Sequence, residues 1–234
     1  MSADHVDGSS AYTTLPHIIS AEKNTKRSFM DANKIISGVQ KILDPATTFI
    51  AGSYTLACAM NGAFMPNDVD IYVNMNLGDF DNEIGRIISC LKAMLNGGEG
   101  FSIKRTIIQQ DDTTDSVKSD YAFCDKIHAI TTIKITNIPA LQFVCAEFGE
   151  NIIAAVNEFR HKWSDKIGSI VMLFSAVNGG AADEIATTGN GRWLDVPIYM
   201  NDVIAKKTIP CDFFANKARM QKYIQHGFTL LNEP

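Results

Sequence analysis

Two aspartates, Asp68 and Asp70, open the run Asp-Val-Asp-Ile-Tyr-Val, fourteen residues after a Gly52-Ser53 pair that closes the apolar run Phe49-Ile50-Ala51. β-branched and aromatic residues predict a strand over the second run, so Asp68 and Asp70 project from one face, with Val69 and Ile71 on the other. Two like charges held close resist joint ionisation unless a cation sits between them. Hard oxygen ligands on a rigid backbone suit Mg²⁺ or Mn²⁺. Gly52-Ser53 supplies a complementary half. A glycine between strand and helix lets the backbone approach a ligand, and the amides that follow, with the Ser53 hydroxyl, can hold phosphate oxygens. Cation site and phosphate grip would face one cleft. The plain alternative is a solvated strand edge and an ordinary Gly-Ser turn.

The flanking segments supply the elements needed to hold such a cleft. From Lys26 to Leu43 the positions Phe29, Ile35, Ile36, Val39, Ile42 and Leu43 recur at helical spacing, and Asp44-Pro45 ends the pattern. Asp79 to Leu95 carries Phe80, Ile84, Ile87, Ile88, Leu91 and Leu95 on one stripe before Asn96-Gly97-Gly98, a helix with a glycine stop. Phe101 to Gln110, Lys126 to Thr136 and Leu141 to Cys145 read as three strands, with a solvated acidic insertion at Asp111 to Asp115 and a turn at Asn137-Ile138-Pro139. Asn151 to Phe159 reads as a helix, and Trp163 to Phe174 as a return to the sheet. Cys211 to Phe228 patterns as a helix with one apolar and one basic side, ended by Gly227. The expected fold class is α+β, a mixed sheet flanked by helices with a C-terminal helical segment. Its divisions are a loose N-terminal arm over 1–25, a core over 26–175, and C-terminal loops and helices packed on the core over 176–234.

A chain of 234 residues, 46% of them hydrophobic, can bury a sizeable core. Its 21 Lys and Arg against 26 Asp and Glu give a net charge of −5, which argues against a general polyanion-binding surface. Five scattered cysteines with no Cys-x-x-Cys pair suit free thiols in a reducing cytoplasm. No basic start with an apolar core and no run long enough to span a bilayer is present, so neither targeting nor a membrane partner is expected. The five histidines lack zinc-ligand spacing, and no G-x-x-x-x-G-K-[ST] or G-x-G-x-x-G loop occurs.

An apolar strand, Gly-Ser, a short helix, then Asp-x-Asp inside an apolar strand resembles the signature of the DNA polymerase β-like nucleotidyltransferase superfamily. The resemblance implies that Gly52 and Ser53 hold a nucleoside triphosphate and that Asp68 and Asp70 ligate two Mg²⁺ (or Mn²⁺) ions. Leu141-Gln142-Phe143-Val144, and Arg219-Met220-Gln221-Lys222-Tyr223 followed by Gly227-Phe228, look like segments of uncharacterised nucleotidyltransferase-like proteins of large DNA viruses and phages. That likeness would place the protein in a host cytoplasm.

The resemblance also implies a third carboxylate on a later strand, the group that activates an attacking hydroxyl. The matching pair here is Phe159-Arg160, and an arginine neither ligates Mg²⁺ nor accepts a proton at neutral pH. Glu147, Glu158 and Asp165 are the alternative third acids. Two readings follow. One is a metal-dependent transferase moving a nucleoside monophosphate to a hydroxyl of a nucleic acid, a protein or a small molecule. The other is a non-catalytic member retained for binding or assembly. An unrelated α/β protein with a chance motif is a third.

Overall fold

The computed structural model describes residues 15–95, 100–108, 124–167, 172–173, 187–192, 194, 207–210, 221 and 224–230, as backbone alone for 15–24, 160–167, 172–173, 207–210 and 230. Its centre is a pair of short strands, β1 (Thr48–Ala51) and β2 (Asp68–Asn74), joined through helix α2 (Ser53–Ala59). β1 runs antiparallel to β2 with Ile50 opposite Ile71 and Ala51 opposite Asp70. On the other side of β2 lies the parallel strand β5 (Ala140–Ala146), with Asp70 level with Gln142. β4 (Ile127–Ile135) and β3 (Phe101–Ile107) continue antiparallel beyond it, and β7 (Thr187–Thr188) borders β1. The sheet therefore reads β3-β4-β5-β2-β1-β7, mixed and six-stranded. This is the α+β arrangement the sequence predicts, and within it the Phe49–Ala51 and Val69–Val73 segments are paired.

Strand alternation divides the buried residues between two faces. Ile50, Val69, Ile71, Val73, Leu141, Phe143 and Ile133 pack against Phe29, Ile36 and Val39 of α1 (Leu15–Gln40), Leu56 of α2, and Phe80, Ile84, Ile87 and Leu91 of α3 (Leu77–Met94). The opposite face brings Phe49, Tyr72, Ile130 and Val144 together with Ala155, Val156 and Phe159 of α4 (Ile152–Ile167). Phe49 and Tyr72 stack across the strands with centroids 4.8 Å apart, and Phe159 closes on both at 5.4 and 4.6 Å. Helices on both faces explain why the central strands are nearly continuously apolar.

Several expectations need adjustment. α1 begins at Leu15, so the stretch 15–25 expected as a loose arm is helical. α3 begins at Leu77, two residues before the expected start at Asp79, because the Asn76 side chain caps it by accepting a hydrogen bond from the Asp79 amide at 3.0 Å. The segment from Trp163 does not re-enter the sheet. α4 runs on to Ile167, and Met172–Leu173 (β6) pairs with Lys207–Pro210 (β8) in a separate three-stranded sheet completed by Thr229–Leu230 (β9). Its apolar residues are shared by strand and helix patterns, and length decided for the helix. The Asn96-Gly97-Gly98 stop, the acidic insertion and most of Cys211–Phe228 lie outside the described residues. Among the described residues no helix is long and apolar enough to cross a membrane.

Phe49 is fully buried at the centre of the aromatic group. Phe49→Ala is expected to lower unfolding stability by about 3–5 kcal/mol, read by urea denaturation. A loss below about 1 kcal/mol would contradict the packing described.

Candidate functional site

On the face shared with α4, each strand changes character along its length. β2 runs from Tyr72, in the aromatic core, back to Asp70 and Asp68; β5 from Val144 to Gln142; β4 from Ile130 to Thr132 and Lys134. One end of this face is apolar and buried, and the other is polar and half-buried or exposed. Asp68 and Asp70 are both half-buried there, with Val69 and Ile71 fixed in the opposite core.

Gly52 meets the aspartates from β1. It has φ 81° and ψ −152° at the strand-to-helix junction, a backbone conformation open to glycine and strained for other residues. A methyl placed on it would stand 2.8 Å from Asp70 Oδ2, so the absent side chain is what lets this carboxylate lie against the turn. α2 starts with no side-chain cap hydrogen bond. Its first turn closes with the Leu56 amide donating to the Gly52 carbonyl at 3.2 Å and the Thr55 hydroxyl donating to the same oxygen at 2.7 Å. Ser53 is 7% exposed and its Oγ has no hydrogen-bond partner among the described residues. A buried hydroxyl without a partner is costly and marks a place prepared for one. Behind it, burial raises the Tyr54 hydroxyl far above the ordinary phenol range, with Cys58 adding to the shift, so Tyr54 stays protonated. Its O–H donates to Asn33 Oδ1 and ties α2 to α1. Burial likewise raises the Cys58 thiol, against the opposing effect of its contact with Tyr54.

The structure thus brings Gly52, Ser53, Asp68 and Asp70 together, and it adds a residue given no role from sequence. Gln142 is level with Asp70 on the adjacent parallel strand, and its Nε2 donates to Asp68 Oδ2 at 3.3 Å. The group beside the two carboxylates is therefore a neutral amide. Register could have revealed it, but β2 and β5 are paired across more than sixty residues of chain and no local pattern fixes that alignment.

Of the three alternative acids, Glu147 and Glu158 stand elsewhere. Glu147 follows the last residue of β5, five positions beyond Gln142, which at strand rise is about 16 Å from the level of Asp70. It lies 3.7 Å from His128 Nε2. Glu158 pairs with Lys126 Nζ at 2.5 Å, at the same distal end, where the Glu147 amide bonds the Lys126 carbonyl. Neither reaches Asp68 or Asp70. Asp165 lies seven residues past Glu158 on α4, about 10 Å along the axis, and Arg160 lies on the same helix; the side chains of both are outside the described residues. Phe159, expected to flag the third acid, belongs to the aromatic core.

Among the described residues no three His, Cys, Asp or Glu side chains gather into a group that could hold a metal. Two carboxylates remain a suitable donor set for Mg²⁺ or Mn²⁺ when the ligand contributes the other oxygens, as bound phosphates do. The orphaned Ser53 hydroxyl and the Gly52 turn fit a phosphate beside them.

Gly52→Ala is expected to cost about 1–3 kcal/mol of stability from backbone strain alone, read by chemical denaturation. An unchanged midpoint would mean that the turn relaxes freely and does not confine Asp70.

No family model matches this chain, and no curated protein matches it. Among solved structures it is similar to the complex of a CCA-adding enzyme with CTP, at 10% identity and a TM-score of 0.47, over 89% of this chain and 43% of that one. It is also similar to a tRNA-processing enzyme in its apo form I, at 14% identity and a TM-score of 0.44, over 86% and 44%. The chain spans less than half the length of either. Likeness of this degree says nothing about what the present chain binds or does.

Proposed function

We propose that this chain is a metal-dependent nucleotidyltransferase that moves a nucleoside monophosphate from a nucleoside triphosphate to an acceptor hydroxyl. The bond from the α-phosphorus to the acceptor oxygen forms as the α–β phosphoanhydride bond breaks, pyrophosphate leaves, and the hydroxyl proton passes to a base or to water. The observation that carries the reading is the close approach of the Asp70 carboxylate to the Gly52 turn, beside a buried Ser53 hydroxyl that has no partner among the described residues. Phosphate-binding and cation-binding groups meet at one point, on two strands held in register by a packed core. The sequence resemblance noted above supports the same assignment.

Asp68 and Asp70 would hold Mg²⁺ or Mn²⁺, which when bound neutralises the triphosphate and the charge that develops during transfer. Ser53 donates its hydroxyl to a phosphate oxygen, and the Gly52 turn admits the phosphate close to the backbone. Gln142 holds Asp68 in orientation through its amide. Positioning and electrostatic stabilisation account for most of such a reaction, so the chain's own part is to align the triphosphate with the acceptor. The acceptor is a nucleic acid, a protein or a small molecule.

Gln142 also favours a second reading. With an amide beside Asp68 and neither Glu147 nor Glu158 within reach, the site would bind nucleotide and metal without transferring it.

The experiment incubates the protein with each α-labelled nucleoside triphosphate, Mg²⁺ and pools of RNA, protein or small metabolites. Label is expected to pass to one pool with the wild type and to none with Asp68→Ala or with a chelator. Transfer that survives Asp68→Ala would reject this site, and Mg²⁺-dependent binding with no transfer would establish the second reading. Asp70→Asn is expected to weaken nucleotide binding in calorimetry, because it removes an anionic ligand.

Ser53→Ala separates the roles of the hydroxyl. Stability is expected to hold or rise by up to about 1 kcal/mol, since an unsatisfied buried hydroxyl is removed. Affinity for the metal-nucleotide is expected to fall at the same time. A clear loss of stability would show that the hydroxyl is satisfied within the protein.

A further inference from the structure

From the aspartate pair across the sheet, the described side chains change from anionic to cationic. Across the sheet from Asp70, β5 contributes Gln142, β4 contributes Thr132, and β3 contributes Lys104, all at one level and on one face. Lys134 lies two residues along β4 on that face, and both lysines are exposed. Two carboxylates are thus followed by an amide, a hydroxyl and two cations. The amide is engaged, since Gln142 Nε2 donates to Asp68 Oδ2 at 3.3 Å.

Such a site is weak for a bare divalent ion. Mg²⁺ and Mn²⁺ favour six oxygen donors, and two side chains provide a minority of them. The Gln142 amide presents a donor to an oxygen that a cation would use. A triphosphate reverses both deficits. It brings several anionic oxygens, and its charge complements Ser53, Lys104 and Lys134.

We propose, resting on the nucleotide site described above, that the protein takes up its divalent cation only together with the triphosphate, and that Gln142 is the positioning residue that sets this order. A carboxylate at position 142 would make a cation site that fills without nucleotide. The amide keeps the site uncommitted until the charged ligand arrives.

The test uses the whole chain and Mn²⁺, whose free ion is counted by electron paramagnetic resonance. With wild type and Mn²⁺ alone, the free-ion signal is expected to stay undiminished at protein concentrations where a non-hydrolysable triphosphate analogue makes it fall. Gln142→Glu is expected to retain Mn²⁺ without nucleotide at least about tenfold more tightly than wild type. Gln142→Asp serves if the longer acid does not fold, and Gln142→Leu, which removes the amide without adding charge, is expected to show no comparable gain. Tight Mn²⁺ uptake by the wild type alone would overturn the proposal, as would a folded acidic variant with no gain. Failure of wild type to bind the analogue with any metal would overturn the nucleotide reading as well. The acidic variants need no nucleotide, so they report the place of Gln142 by themselves.

Discussion

The antiparallel register of β1 against β2 is the constraint on which the site depends. Side chains alternate with a period of two, so a slip of one residue would exchange the two faces of β2. Val69, Ile71 and Val73 would leave the core shared with α1 and α3, and Asp68 and Asp70 would enter it. Burying two carboxylates in an apolar core costs several kcal/mol or more. The stack of Phe49 on Tyr72, closed by Phe159, holds the register from the second face. Asn74 pins the far end of β2: its Oδ1 accepts from the Phe148 amide at 2.7 Å and its Nδ2 donates to the Gly149 carbonyl at 3.0 Å. The interactions that make the sheet stable are thus the ones that aim the two acids.

Away from this clamp the molecule accepts local costs. Gly52 has the backbone freedom of glycine in a conformation that other residues resist, and the Ser53 hydroxyl is buried without a partner among the described residues. Neither feature helps the fold by itself, and each makes sense beside a phosphate. The polarity gradient along the α4-facing side of the sheet has the same logic. Aromatic and aliphatic residues fill the end that must be packed, while Asp68, Asp70, Gln142, Thr132 and Lys134 occupy the end that must remain reachable. Local sequence rules fail where function asks something of the chain, and these failures converge at one end of one sheet face.

That convergence explains what was legible beforehand. Asp68, Asp70, Gly52 and Ser53 lie within a single strand-turn-helix-strand unit, where spacing alone fixes their neighbours, and the alternation in Asp-Val-Asp-Ile-Tyr-Val decides the face. The helices over Phe29 to Val39 and Phe80 to Leu91 showed themselves by period, while their starts depended on a cap at Asn76 and on an N-terminal extension to Leu15 that carries no apolar stripe. Gln142 was not legible as part of the site. Its strand is recognisable, but its alignment with β2 comes from a long-range parallel pairing that hydrophobic pattern does not set. Glu147 and Glu158 drew notice as acids near the right place in sequence, and register sends both to the opposite end of the sheet, where Lys126 and His128 face them.

The amide at position 142 bears directly on how fast such a site could work. A positioned general base typically contributes about 10²- to 10⁴-fold to a rate, whereas orientation of the reactants and electrostatic stabilisation of the transferring group contribute more. In the proposed reaction Asp68, Asp70, Ser53 and the Gly52 turn would belong to these larger contributions. An acceptor hydroxyl can lose its proton to water at a cost in rate of the size of the missing base. If the proposed transfer takes place here, such a site would be a slow transferase before it was an inert one, and it would gain something in exchange. On the proposal above, with no third acid gathered beside the pair among the described residues, the cation and the triphosphate would depend on each other, and the charge needed for transfer would assemble only when the triphosphate is present.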